Sequence, residues 1–421
     1  MLLNTIFRKG EDNMSDAPKK MKIGLVIDTF YPMVDGVVLV VDNYAKQLSK
    51  YADVTVFCAG NRKSKEREYP YKVVFCKEIK VPGFDYPIPA PNLDPAFRKA
   101  LREADLDVIH IHSPFMVGKY ATEVARERGI PLIGTVHSQY YRDLYKATHN
   151  KRFARFLLNR HIVSVYNLCD RCLAVNKSIQ NMATEDYGIR VPVDVANNGT
   201  DLLPLENYEV ARREIEERYG IGQEEKLLLF VGRLNRIKNI FFLVDAFARL
   251  VEEDTDYRLM FVGTGQDESA LRRRIRRLGL SDRVIFTGRI GDREEMKKHY
   301  ARADLFTFPS LYDASSLVQI EAASQKTPAL LLRGARTACT VTDGVNGYLS
   351  EASTVAYAEK ILEIFRDDAA YRNICEAAQR DLAVTWEKTV GDSYELYLRL
   401  YKEKYPEASF AYEKIHKTGT V

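Results

Sequence analysis

The sequence predicts an α/β protein made of two doubly wound parallel-sheet domains, and three observations carry that expectation. Eleven short apolar, β-rich runs alternate with helical patterns almost to the C-terminus. Apolar strands separated by amphipathic helices are the pattern of parallel sheets covered on both faces. Eleven strands exceed one comfortable sheet, and the alternation pauses once, over residues 197–226.

In the first half the runs are MKIGLVID (21–28), DVTVFCAG (53–60), YKVVFC (71–76), DVIHIHS (107–113), PLIGTVHS (131–138) and RCLAVN (171–176). In the second half they are KLLLFVG (226–232), RLMFVG (258–263), RVIFTG (283–288), DLFTFPS (304–310) and PALLLRG (328–334). The expected organisation is a first domain over 21–196, a linker over 197–225 and a second domain over 226–385. Closing helices and a tail follow over 386–421, and residues 1–20 read as a disordered extension. A ligand is expected between the domains, at the carboxyl ends of the strands.

At 421 residues, with 46% hydrophobic and 29% charged residues, the chain has the composition of a soluble globular protein. A net charge of +4 is mild, and no nucleic-acid partner is expected. No apolar run reaches the roughly 18 residues that cross a bilayer. The N-terminus lacks the apolar core of a signal peptide, so the expected location is cytoplasmic. Six scattered cysteines, Cys169 and Cys172 among them as a lone C-x-x-C, read as reduced thiols.

The stretch FPSLYDASSLVQIEAASQ (308–325) carries Asp313 and Glu321. In a continuous helix these carboxylates would stand about 12 Å apart on faces about 80° apart, too far for a hydrolytic pair. The local pattern is instead a strand exit, a loop, and a helix opened by an S-x-x-Q capping box at Ser316 and Gln319. Leu317 and Val318 are then first-turn residues with N–H groups that favour a phosphate, the alternative being an ordinary capped helix.

In FVGRLNRIKNI (230–240) Arg233 and Lys238 flank a strand-to-helix turn. Two cations oppose the dipole there, which makes sense around an anion. Gly263 and Gly265 lack the third glycine of a dinucleotide fingerprint. His137 ends a strand, where side chains face the crevice, whereas His110 and His112 share one face of their strand, one read as core and one as crevice. Nothing has metal-ligand spacing, so no metal and no cofactor are expected.

The order Gly36 loop, H-S-P-F, T-V-H, N-N-G-T-D, G-R-L-x-x-x-K-N, strand-G-x-G, F-T-G and D-x7-E, running from about Met21 to about Tyr401, resembles glycosyltransferase family four. The resemblance implies a GT-B fold, two Rossmann-like domains facing each other across a cleft, and retaining, metal-independent transfer of a hexose from a nucleotide sugar, expected to be a UDP-sugar. It implies that Arg233 and Lys238 bind the diphosphate, Glu321 the ribose and Asp313 the donor sugar. Leu317 and Val318 would offer N–H groups to phosphate, with Ser316 just before them. Gly36 would approach from the first domain, Ile290 would lie by the base, and His137 would contact the sugar.

Three departures stand out: Asp313 replaces a glutamate, Ser315-Ser316 replaces Phe-Gly, and Asp35-Gly36 replaces a double glycine. The first two leave the sugar open. A scaffold protein on the same fold and a nicotinamide oxidoreductase are the rival readings.

For the acceptor, residues 142–160 carry Arg142, Lys146, Lys151, Arg152, Arg155 and Arg160, with Phe153, Phe156 and Leu157 interleaved. Arg62, Lys63, Lys65 and Arg67 add a second basic run, and HSPFMVGK (112–119) is similar to segments of bacterial glycolipid-forming members. A basic amphipathic helix suits an anionic membrane surface and a diacylglycerol-type lipid acceptor. The alternatives are a polysaccharide or soluble acceptor, with the aromatic residues packed on the sheet.

Overall fold

The computed structural model describes residues 20–33, 35–80 and 87–407. The extension expected over 1–20 lies, but for Lys20, outside the described residues, as does the tail beyond 407. All eleven expected strands form. In the first domain they are β1 (Lys22–Val26), β2 (Asp53–Ala59), β3 (Lys72–Cys76), β4 (Val108–Ile111), β5 (Leu132–Val136) and β6 (Arg171–Ala174), joined by a short edge strand β7 (Val193–Val195). The second domain has β8 (Lys226–Val231), β9 (Tyr257–Val262), β10 (Val284–Gly288), β11 (Leu305–Phe308) and β12 (Ala329–Leu332), with a second short edge strand, β13 (Tyr348–Ser350).

The first sheet runs in the order β3-β2-β1-β4-β5-β6-β7 and the second β10-β9-β8-β11-β12-β13, with every pairing parallel. In each sheet the order reverses beside the domain's first strand, between β1 and β4 and between β8 and β11. Loops at such a switch point diverge and leave a crevice at the carboxyl ends. The central strands are buried along nearly their whole length, as the apolar runs require.

The stretch expected as a linker carries a helix, Tyr208–Tyr219. Asn207 caps it by accepting from the Val210 N–H, and Gly220 ends it at φ 61°. Ala211 and Ile215 bury its inner face, and it packs against the helix Arg293–Arg302 of the second domain. Arg302 is fully buried between Glu216 and Asp304, at 2.8 Å from each.

The long helix Trp386–Lys404 returns to the first domain. Its Trp386, Val390, Tyr394, Tyr397 and Leu400 share a core with Met21, Ile23, Tyr44 and Val108. At the crossing, Thr200 N–H donates to Val384 O at 2.8 Å and Trp386 N–H to Thr200 O at 3.2 Å. A Cβ on Gly199 would stand 2.6 Å from the Trp386 nitrogen, so this glycine lets the two crossing segments touch. The cysteines carry no disulfide; four are buried, but Cys339 is exposed and Cys375 half-buried.

Candidate functional site

The two switch points face each other. In the second domain, the loop after β8 carries Arg233 and Lys238, and the loop after β11 carries Asp313 and Ser316. Gly263 and Gly265 hold the first of these loops in place. A Cβ on Gly263 would meet Gly232 O at 2.1 Å and one on Gly265 would meet Leu234 O at 2.2 Å. The G-x-G turn therefore serves close backbone packing beneath the cations.

Lys238 forms an ion pair with Asp313, whose other oxygen accepts from Ser310 Oγ at 2.5 Å. The loop reaches the pair through a single turn at Arg236–Lys238, followed by Asn239 at φ 62° and the helix Ile240–Glu253. Arg233 is exposed, and no ion pair to its guanidinium is formed among the described residues. One expected cation is thus held by a carboxylate and the other is left open.

The helix Leu317–Ser324 begins after Ser316 with no side-chain cap. This corrects the expected capping box. Ser316 Oγ is buried without a partner, and Gln319 turns its amide to Thr340 Oγ1 at 3.1 Å. The first-turn N–H groups of Leu317 and Val318 are consequently left uncapped by side chains, at the positive end of the helix dipole. Behind the helix lies a cavity of about 260 Å³, walled in part by Asn176, Asn198, Ser315, Ser316 and Thr337. Serine at 315, in place of the phenylalanine expected there, leaves that wall lined with hydroxyl groups.

Glu321, 7% exposed, is engaged at both oxygens: Tyr300 OH donates to Oε2 and Arg293 to Oε1, each at 2.8 Å. Each carboxylate oxygen keeps a second acceptor position for a hydroxyl. Ile290 lies half-buried just after β10, three residues before Arg293. Lys238 thus meets Asp313 on the loop that leads into the helix carrying Glu321, and Arg293, three residues after Ile290, reaches the Glu321 carboxylate. Sequence reasoning missed Arg293 and Tyr300, which both lie in the polar helix Arg293–Arg302 with no motif to mark them.

From the first domain, Gly36 starts the helix Gly36–Leu48, capped by Asp35 through the Val38 N–H at 2.9 Å. A Cβ there would meet nothing within 4 Å, and no described contact ties Gly36 to the second domain's loops. His137 follows β5 and is 9% exposed. Both His110 and His112 are buried, so neither lines the crevice openly. His110 bonds Tyr397 OH and Thr135 Oγ1, each at 2.6 Å. His112 Nδ1 lies 3.0 Å from His137 Nε2. Burial drives His110 and His137 down to about 3 and His112 well below its ordinary value, so all three rings are neutral at pH 7.

The loop carrying Asp313 is gripped across the cleft. Gln139 donates to Tyr312 O at 2.5 Å, Arg142 to Leu311 O at 2.6 Å and Asn176 to Ala314 O at 2.6 Å, while Tyr312 OH donates to Asp143. These contacts bring the His137 loop beside Asp313. Arg142, expected in a membrane-facing set, is committed here.

The remainder of the basic segment is a helix, Lys151–Leu158, continued by a wider turn over Asn159–Val163. Ala154 and Leu158 face the core. Phe153 and Phe156 do not pack on the sheet: they are 50% and 57% exposed and stack on each other with centroids 6.4 Å apart. Phe115 and Met116 are also exposed, and Phe115 lies edge-on to Tyr140 at 5.8 Å. No helix among the described residues is long and apolar enough to cross a membrane.

Residues 34–202 match the sequence model of Glycosyltransferase Family 4, and residues 211–381 that of Glycosyl transferases group 1. The chain is 26% identical to an alpha-monoglucosyldiacylglycerol synthase of Streptococcus pneumoniae, over 74% of this chain and 70% of that one. It is 28% identical to a GDP-mannose-dependent alpha-mannosyltransferase of Corynebacterium glutamicum, over 88% and 86% of the two chains. Among solved structures, Anabaena Alr3699/HepE in complex with UDP superposes with a TM-score of 0.74 at 19% identity, covering 90% of this chain and all of that one. The same protein with UDP-glucose gives a TM-score of 0.70 at 20% identity, over 89% and 100%. The chain belongs to glycosyltransferase family four, and its two facing sheets form a GT-B fold.

Proposed function

We propose that the protein is a retaining hexosyltransferase that takes its sugar from a UDP-sugar and delivers it to a hydroxyl of a diacylglycerol-type lipid. The observation that carries the donor half is the uncapped start of the helix Leu317–Ser324, placed opposite Arg233 and Lys238 at a switch point. That combination of N–H groups, guanidinium and ammonium suits a diphosphate. HepE holds UDP and UDP-glucose, which supports this choice of nucleotide.

In this reading the diphosphate lies on the Leu317 and Val318 N–H groups. Lys238 has three N–H donors, one of which Asp313 takes, so it can steady the leaving phosphate while Asp313 reaches the sugar. Charge building on the departing diphosphate is met by Arg233, Lys238 and the helix, without a metal. The acceptor hydroxyl attacks from the face the phosphate leaves, and a phosphate oxygen takes its proton. His137 lies by the sugar, and Glu321 accepts from the ribose.

The acceptor half rests on Phe153 and Phe156, exposed beside Lys151, Arg152 and Arg160. Exposed rings with cations around them suit an anionic bilayer surface. The names of two relatives, both alpha-monoglucosyldiacylglycerol synthases, point the same way.

Thermal shift with UDP, GDP and UDP-glucose, followed by product analysis on diacylglycerol vesicles in EDTA, tests the proposal. Stabilisation by UDP and a glycosylated lipid support it. Stabilisation by GDP alone overturns the donor, and transfer only to soluble glycans overturns the acceptor. Absence of any donor turnover leaves a scaffold. Anionic vesicles should also co-sediment the protein at low salt and lose it at high salt.

A further inference from the structure

His112 stands behind His137, away from the cleft, and nothing in the proposed chemistry uses it. Its ring is 1% exposed and lies between two others, 4.1 Å from His110 and 5.3 Å from His137 between centroids. The His112 and His137 planes are only 24° apart. His110 is fixed on both ring nitrogens, by Tyr397 and Thr135. His112 Nδ1 meets His137 Nε2 at 3.0 Å, while His112 Nε2 is buried without a partner. No hydrogen bond among the described residues engages His137 Nδ1.

Two neutral imidazoles facing each other through one hydrogen bond share one proton there, and each keeps one N–H in all. Burial holds both rings neutral, His137 pushed down to about 3 and His112 well below its ordinary value. Two arrangements follow. If His137 donates from Nε2, then His112 must carry its proton on Nε2, a buried N–H with no acceptor. If His112 donates from Nδ1, its Nε2 is a bare acceptor and the proton of His137 sits on Nδ1. Orphaned buried N–H groups are rarer than under-used acceptors, which favours the second.

We infer that His112 is a positioning residue that donates from Nδ1 to His137 and keeps the His137 proton on Nδ1. This rests on the reading that His137 faces the donor sugar. His137 then offers the sugar a hydrogen-bond donor from Nδ1, in a ring whose orientation is set by the stack behind it. From that nitrogen it cannot serve as a base.

The test is the ring 15N spectrum of histidine-labelled full-length protein, with His137→Asn for assignment. The wild-type His137 should show a protonated Nδ1 and an unprotonated Nε2. His112→Phe, which keeps the flat ring and removes the donor, should abolish that pattern. His112→Asn, whose amide N–H replaces the Nδ1 donor, should restore it. With UDP-glucose as probe, H112F should lower kcat for donor turnover about tenfold with KM little changed, the equivalent of one hydrogen bond misplaced, and H112N should recover it. A wild-type His137 protonated on Nε2 overturns the inference, and so does an unchanged pattern in H112F. The wild-type spectrum decides even if a variant fails to fold. It also stands apart from the donor reading, which fails separately if UDP-glucose is neither bound nor turned over.

Discussion

At the first domain's switch point the N-terminus of the helix Met116–Arg128 is closed by the chain's own Asp28. Its carboxylate accepts from the Val117 N–H at 2.7 Å and from Ser113 Oγ. At the second domain's switch point the helix Leu317–Ser324 starts without a side-chain cap, and the nearby Arg233 is exposed. Both sheets turn their order at equivalent places, yet only one crevice answers its own dipole. A helix terminus satisfied from within holds a domain together, whereas one left unsatisfied between cations is available to an external anion. The same topology therefore yields a self-satisfied structural element in one half and, in the other, the open element proposed above to bind the donor.

The largest effect should come from the open side. Lys238→Ala is expected to lower transferase turnover on the order of 10²-fold, about 2.7 kcal/mol of transition-state stabilisation, while the protein stays folded. Steady-state kinetics with a melting curve would check it. Near-normal turnover in a folded variant would break the comparison by showing that this crevice does not handle the leaving group.

On the closed side, Asp28→Asn should cost stability and leave donor binding alone. Turning one acceptor oxygen of this buried helix cap into an amide leaves either the Val117 N–H or Ser113 Oγ without its acceptor, which should cost about 2 kcal/mol, read by urea denaturation. A change in UDP affinity without a loss of stability would show that the first crevice also binds ligand.

Acid sharpens the contrast further. Below a pH of about 6.5 each of His110, His112 and His137 takes up a proton on unfolding, because burial depresses its folded value. The unfolded state then binds more protons, so stability falls as pH drops from 6.5 toward 3. Asp28 acts in the opposite sense. Burial raises its carboxyl to about 6, so between its ordinary 3.8 and 6 the folded state binds the extra proton and gains. Three groups outweigh one. The unfolding free energy from urea denaturation should fall between pH 7.5 and 5, by about 1.4 kcal/mol per pH unit for each uncompensated proton, and fall less in H112F.

The smallest effect belongs to Asp313→Glu. Lengthening the side chain by one methylene keeps the charge opposite Lys238, so stability should change by no more than about 0.5 kcal/mol. Relative rates on UDP-glucose, UDP-galactose and UDP-N-acetylglucosamine should shift instead. Identical kinetics on all three would remove this residue from the sugar.

The strands were legible because each is an apolar run ended by glycine, proline or a polar cluster. β7 and β13 were not, since VDV and YLS are three-residue edge strands with no period to detect. The helix Tyr208–Tyr219 had a readable signal in Asn207 and Gly220, but its many charges hid the buried Ala211 and Ile215. At the site, Arg233, Lys238 and Asp313 could be singled out because their loops follow strands. That Lys238 pairs with Asp313 could not, because it depends on two loops 75 residues apart. The capping box at Ser316 was misread because Gln319 finds Thr340, a partner that only the tertiary fold supplies. The same holds for the grip of Gln139, Arg142 and Asp143 on residues 311–312.

The helix Trp386–Lys404 sets the order in which the molecule can be completed. Ribosomes deliver all seven strands of the first sheet early, yet Met21, Ile23, Tyr44 and Val108 wait for Trp386, Val390 and Tyr397 to cover them. The second domain, contiguous from Tyr208 to Leu382, has its whole sequence before that helix emerges. During synthesis the earlier half must therefore stay partly open while the later half closes, the reverse of the usual N-to-C sequence. A chain stopped at residue 385 should bind a hydrophobic dye and sediment as aggregate, even though every strand of both sheets is present.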